Sequence, residues 1–232
     1  MSWLTITLAL YRRALRRAAE LTLRNWPVLG SLFVYAAVMS AATVLAAALG
    51  IVGGFLLSLV WAACVGSFLS LVEMIVRSGR VTLDDFRRSA GVYLWDVVGV
   101  TFVLWIAFQL LTPALATIPQ GRMLLLGLML IVLVFFNAVP ELIYLGRCSS
   151  LELLGESYAF IGENWIEWFP LTVVLGALVL ALDALPVTPL LEWPKLAAVA
   201  LLVYYTMVVR GLLFLELHGS TRRSRAFRHR MG

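Results

Sequence analysis

Charge is what this sequence has least of. Only 13% of its 232 residues are charged, against 62% hydrophobic, and the mean hydropathy is +0.96. A soluble domain of this length would need about twice that charge to cover its surface, so a soluble globular protein is excluded. Lysine is nearly absent: of 18 basic residues all but Lys195 are arginine. There are two cysteines. Cys64 falls in an apolar run and Cys148 in a polar connection, which puts them at different depths, so neither a disulfide nor a metal site is expected. The two histidines, His218 and His229, both lie toward the C-terminus. No HExxH, GxSxG or Gly-rich phosphate loop is present. The one conceivable triad would use His218 beside Glu216, and a solvated interfacial histidine is the simpler reading. No enzymatic activity and no cofactor are therefore expected. The first 26 residues carry five arginines and lack a short apolar core with a small-residue cleavage site, so no cleaved leader is expected.

What is abundant is long apolar runs. Crossing about 30 Å of hydrocarbon takes roughly 18 to 25 residues of helix. Six stretches are read as spans: 28–49, 55–76, 97–115, 123–145, a short one at 169–185, and 196–217. The fold class predicted is all-α, a polytopic membrane protein of six transmembrane helices arranged as three hairpins, each preceded by an amphipathic interfacial helix. One integral membrane domain accounts for residues 1–232. Pro27 can open the first span from its first turn. Gly50, Gly53 and Gly54 predict an uncharged turn. Ser58, Ala62, Gly66 and Ser70 form a small-residue seam that lets a neighbouring backbone approach. Thr112-Pro113 is placed to kink or shorten the third span, and Pro140 to weaken the fourth. Prolines 186, 189 and 194 make the last loop irregular.

Three lead-ins precede the hairpins, giving repeat-like units of about 1–77, 78–147 and 148–219, with a basic tail at 220–232. In the first, Leu4, Leu8, Tyr11, Leu15, Ala18 and Thr22 recur at helical spacing, with arginines on the other face; such a helix lies in the headgroup region. Thr82 with Asp85 and Ser149 with Glu152 have capping-box spacing at the starts of the second and third. In the third, Leu151, Leu154, Tyr158 and Ile161 give the apolar stripe. Trp26, Trp95 and Trp165 close the three lead-ins as interfacial anchors, because an indole suits an apolar body with a polar tip.

The second helix of each hairpin ends near a glutamate: Glu73, Glu141 and Glu216. A carboxylate close to hydrocarbon is costly unless paired or neutral. Glu73 has Arg77 one turn on, Arg147 follows Glu141 in the next connection, and Arg210 precedes Glu216 inside the last span. These six residues form the candidate polar cluster. They are read first as groups that knit helix ends together, and alternatively as the vestibule of a small transporter or channel. Arginines cluster in the N-terminal segment, the 77–88 connection and the tail, which puts both termini in the cytoplasm by the positive-inside rule.

Pro140-Glu141, Gly146-Arg147, Leu153, Ser157 and Asn164-Trp165 resemble the pattern of YciC-like bacterial inner-membrane proteins. The pattern is also similar to the membrane domain attached to some glycerophosphoryl diester phosphodiesterases. The motif covers about 25 residues and the hydropathy likeness most of the chain. The resemblance implies a six-helix inner-membrane domain with no assigned activity and no catalytic residues; no phosphodiesterase domain accompanies it here. The function expected is a non-enzymatic scaffold or accessory subunit. The partners expected are membrane lipids, with anionic headgroups at the N-terminal helix and the basic tail, and a membrane protein, but no nucleic acid.

Overall fold

In the computed structural model, residues 3–146 and 152–218 are described, and none of them is in a strand. The helices are α1 (Trp3–Arg24), α2 (Val28–Ala47), α3 (Gly50–Ser78), α4 (Leu83–Ser89), α5 (Leu94–Ala116), α6 (Gly121–Phe135), α7 (Val139–Leu145), α8 (Glu152–Asp183) and α9 (Glu192–His218). Six spans are long and apolar enough to cross a membrane, one of them running through both α6 and α7. The protein is an all-α polytopic membrane protein. Helices dominate because hydrocarbon offers the backbone no hydrogen-bonding partner, so each span must satisfy its own N–H and C=O groups.

That rule also moves several expected boundaries. The turn predicted at Gly50–Gly54 is helical; the reversal is confined to Ala48 and Leu49, with Gly50 in the left-handed region at φ +56°. Pro113 does not end α5, which runs on to Ala116. The separate lead-in expected at 149–163 is, from Glu152 on, continuous with the fifth span in a 32-residue α8 that carries Pro170 inside it. The fourth span, by contrast, breaks at Phe136–Ala138. Pro140 has no N–H, and Val139 N–H turns to Phe136 O (3.2 Å), a tighter step than the helical one. The Phe135 carbonyl so released accepts the Ser157 hydroxyl of α8 at 2.7 Å. Phe135 and Tyr158 rings pack 4.8 Å apart beside it.

The described chain divides into two compact units. The first takes the residues up to Ala37, Leu71–Asp85, and Asn164 onward; the second takes Val38–Ser70 and Phe86–Glu163. In the second unit α5 packs on α6. There α3 meets the start of α5 so closely that a Cβ on Gly66 would lie 3.0 Å from the Tyr93 carbonyl carbon. Ser67 and Ser89 share a buried hydrogen bond of 2.6 Å nearby. In the first unit α1 packs on α9. Tyr205 donates to Leu15 O (3.1 Å) and Tyr204 to Asn25 O (3.3 Å). Those carbonyls lie about 15 Å apart along α1, yet adjacent residues of α9 reach both, so α1 crosses α9 obliquely. Lys195 closes the end of α8 by donating to Asp183 O (2.9 Å) and Leu185 O (3.2 Å).

The buried faces overlap the apolar stripes read from the sequence only in part, at Ala18, Thr22 and Ile161. On α1 the inner row is Thr7, Leu10, Ala14, Ala18 and Thr22, while Leu8 and Leu23 point outward. On α8 it is Leu153, Ser157, Phe160, Ile161, Asn164, Glu167 and Trp168, while Tyr158 and Trp165 point outward and Leu154 is half-buried. Hydrocarbon solvates leucine as well as a protein core does, whereas a hydroxyl, amide or carboxylate gains by turning inward.

Candidate functional site

Two polar constellations stand out in the first unit. The first is centred on Asn25, just past the end of α1. Its amide nitrogen donates to Leu21 O (2.9 Å) and Gly79 O (3.1 Å), and its amide oxygen accepts Val81 N–H (3.0 Å). Gly79, at φ +74°, ends α3 by donating to Ile75 O (3.0 Å). A side chain there would strain the left-handed turn that presents its carbonyl to Asn25. Downstream, Thr82 and Asp85 form the expected capping box of α4: Thr82 N–H donates to Asp85 Oδ2 (2.9 Å) and Asp85 N–H to Thr82 Oγ1 (3.3 Å).

The second constellation is aromatic and charged. Arg210, Phe214 and His218 follow one another at single-turn spacing on α9. The Arg210 guanidinium sits 5.2 Å from the ring centre of Trp168. Phe214 meets Trp168 edge-on at 6.4 Å, and His218 stacks on Phe214 at 4.9 Å. Trp168 is wholly buried, and a cation over a desolvated indole is worth about 2 kcal/mol. One residue before it, Glu167 is only 4% exposed. Tyr11 of α1 donates to the Glu167 carbonyl at 2.7 Å. Burial, and then the Glu167 charge, push the Tyr11 hydroxyl up to about 12. Deeper along the helices, the Thr172 and Thr206 hydroxyls are buried with no hydrogen-bond partner.

No family model, curated protein or solved structure matches the chain.

The six residues of the expected cluster divide as follows. Glu73 pairs with Arg77 at 2.9 Å, one turn apart on α3, as the spacing implies. Glu216 reaches Arg13 of α1 at 3.7 Å, both partly exposed. Arg210, expected to serve Glu216, instead lies on the Trp168 ring, because its residue faces α8 while Glu216 faces α1. Glu141 is 0% exposed in α7, in the second unit. Arg147 lies outside the described residues, as do Cys148, Ser149 and the basic tail. Trp26, Trp95 and Trp165 are 70%, 73% and 55% exposed.

Glu167, Trp168 and the central role of Asn25 were missed from the sequence. A signal was present: Ser157, Asn164 and Glu167 share one face of α8 at spacings of seven and three. It reads correctly only when the polar face of a membrane helix is taken as the inner one. Chemically, this set can stack, pair and hold a proton on Tyr11. Among the described residues no three of His, Cys, Asp or Glu lie close enough to hold a metal ion.

Proposed function

We propose that the chain is a non-enzymatic scaffold or accessory subunit of a bacterial inner membrane, with both termini in the cytoplasm. The observation that carries this reading is how little three of its spans bury within the chain. In the 18-residue windows of α2, α5 and the α6–α7 span, 11% of residues are inside, two of eighteen each. In those windows most side chains are exposed or half-buried, so apolar surface is open to a partner's helices or lipid, although α7 itself, from Val139 to Leu145, is largely buried. The polar side chains support the same reading by what they are spent on: Asn25, Ser157, Glu73, Glu216 and Arg210 all engage groups of the same chain.

The arginine-rich face of α1 is the expected contact with anionic headgroups, each cation adding about 1 kcal/mol near a charged surface. The three-unit repeat and the likeness to YciC-like proteins belong to this proposal. One observation favours a transporter instead: Glu141 and Glu167 are buried carboxylates in spans, and such groups often mark ion paths.

Affinity purification in mild detergent after cross-linking tests the proposal. The expected result is a membrane protein recovered in fixed stoichiometry and lost when Leu130 or Leu133, outward on α6, becomes Arg. A chain recovered alone, with the same yield for wild type and variants, overturns it.

A further inference from the structure

We infer that one water molecule is held between α8 and α9, bridging the Thr172 and Thr206 hydroxyls. From Asn164 on, α8 shares the first unit with α9, and two contacts set the antiparallel register of the pair. Arg210 lies over Trp168, and at the far end Lys195 donates to Asp183 O. The step of fifteen residues along α8 between these contacts is matched by fifteen along α9. One turn in from Trp168 and Arg210, the same register sets Thr172 against Thr206. Both hydroxyl oxygens are buried without a hydrogen-bond partner, and Thr172 as a whole is 8% exposed. Buried hydroxyls are rarely left unpaired in folded proteins, and ordered water pairs with them where the protein does not.

Three features select water over other occupants. The first is that neither hydroxyl turns back on its own helix. Ser31, Thr43, Ser58, Ser78 and Thr101 each donate to a carbonyl of the preceding turn. That route is open to any helical hydroxyl, and Thr172 and Thr206 do not take it. The second is charge. Arg210 and the buried Glu167 lie within two turns of the pair and carry opposite signs, so neither a cation nor an anion finds the charge match that a buried ion requires. The third is that water both donates and accepts, as each hydroxyl does. Toward Lys195 the next pairs in the register are apolar, Leu175 with Val203 and Val179 with Val199. The hydroxyl pair is therefore isolated on that side, and the water is a fixed part of the α8–α9 pair and not a step on a polar path. The inference is independent of whether the chain serves a partner complex.

The test is a crystal structure of the full chain, grown in lipid and sharp enough to show ordered water, together with thermal scans of variants in detergent. The expected result is a density peak about 2.7–3.2 Å from both hydroxyl oxygens that refines as water. Thr172→Val or Thr206→Val alone should lower Tm, because the opposite hydroxyl keeps a water that is one partner short. The double variant should melt above either single one, because no hydroxyl is left to satisfy. Direct contact between the two hydroxyls, or hydroxyls turned back to their own helices, overturns the inference. So does a peak that gains an anomalous signal after a bromide soak, which marks a halide. Variants that all melt like wild type, or single losses that simply add in the double, overturn it as well. The wild-type map decides even where a variant fails to fold.

Discussion

Replacing Asn25 by alanine removes three side-chain hydrogen bonds at once: to Leu21 O, to Gly79 O and from Val81 N–H. Each contributes about 0.5–1.5 kcal/mol net, and a donor or acceptor stranded in a buried place costs about 1–3 kcal/mol. Leu21 O lies on a helix and loses least. Gly79 O and Val81 N–H belong to a connection with no regular structure to absorb them. The loss expected is about 2–4 kcal/mol, the upper part applying if water does not replace the amide. For a chain of this size that is a fall in Tm of about 5–15 °C, on the scale of about 2–4 °C per kcal/mol. Arg16→Ala is the control on the same helix. Its pair with Glu20 is 3.4 Å and exposed, and such pairs are worth about 0–1 kcal/mol. Unfolding in mixed micelles, followed by circular dichroism, measures both. Equal, small effects for Asn25→Ala and Arg16→Ala would refute the view that Asn25 ties α1 to the end of α3.

Three further outcomes are expected. Gly66→Leu should prevent stable folding, because even a Cβ there is 3.0 Å from Tyr93 backbone, whereas Gly99→Ala, with nothing within 4 Å, should leave Tm within a degree or two of wild type; thermal scans in detergent compare them. Ser157→Ala should cost about 1–2 kcal/mol by exposing the Phe135 carbonyl at the break in the fourth span, and Ser157→Thr should recover part of it, read from the same micelle titration. Reporter fusions after Gly79, Arg147 and Gly232 should give cytoplasmic signals, with opposite signals near Gly53, Gln120 and Thr188; a cytoplasmic signal at Gln120 breaks the six-span topology.

The spans were legible because length and hydropathy alone specify them: each of the six apolar runs is helical, the fourth as two helices, α6 and α7. Boundaries were less so. Gly50–Gly54 looked like a turn by the rules of water, where glycine clusters interrupt helices, but a backbone in lipid keeps its hydrogen bonds and α3 starts at Gly50. The break at Phe136–Ala138 was hinted at by Pro140, yet the stabilising partner, Ser157, is 22 residues away, and no local pattern reveals such a pairing. The expected apolar stripes match the inner faces only in part. Leu8, Leu154 and Tyr158 of the expected stripes point outward or are half-buried, Ala18, Thr22 and Ile161 are inside as the stripes imply, and Ser157, Asn164 and Glu167 lie on the inner face without having been expected there. The Glu73–Arg77 pair was legible because it is local; Glu216–Arg13 and Arg210–Trp168 were not, since both cross between helices far apart in sequence.

The central claim is that the buried polar groups hold this fold together and do not carry an ion through it. Proton and cation flux into proteoliposomes of the wild-type protein tests it most directly. The account predicts flux no greater than in protein-free vesicles, together with a lowered Tm for Glu141→Gln. A sustained flux that Glu141→Gln or Glu167→Gln abolishes, in protein that melts like wild type, would contradict it.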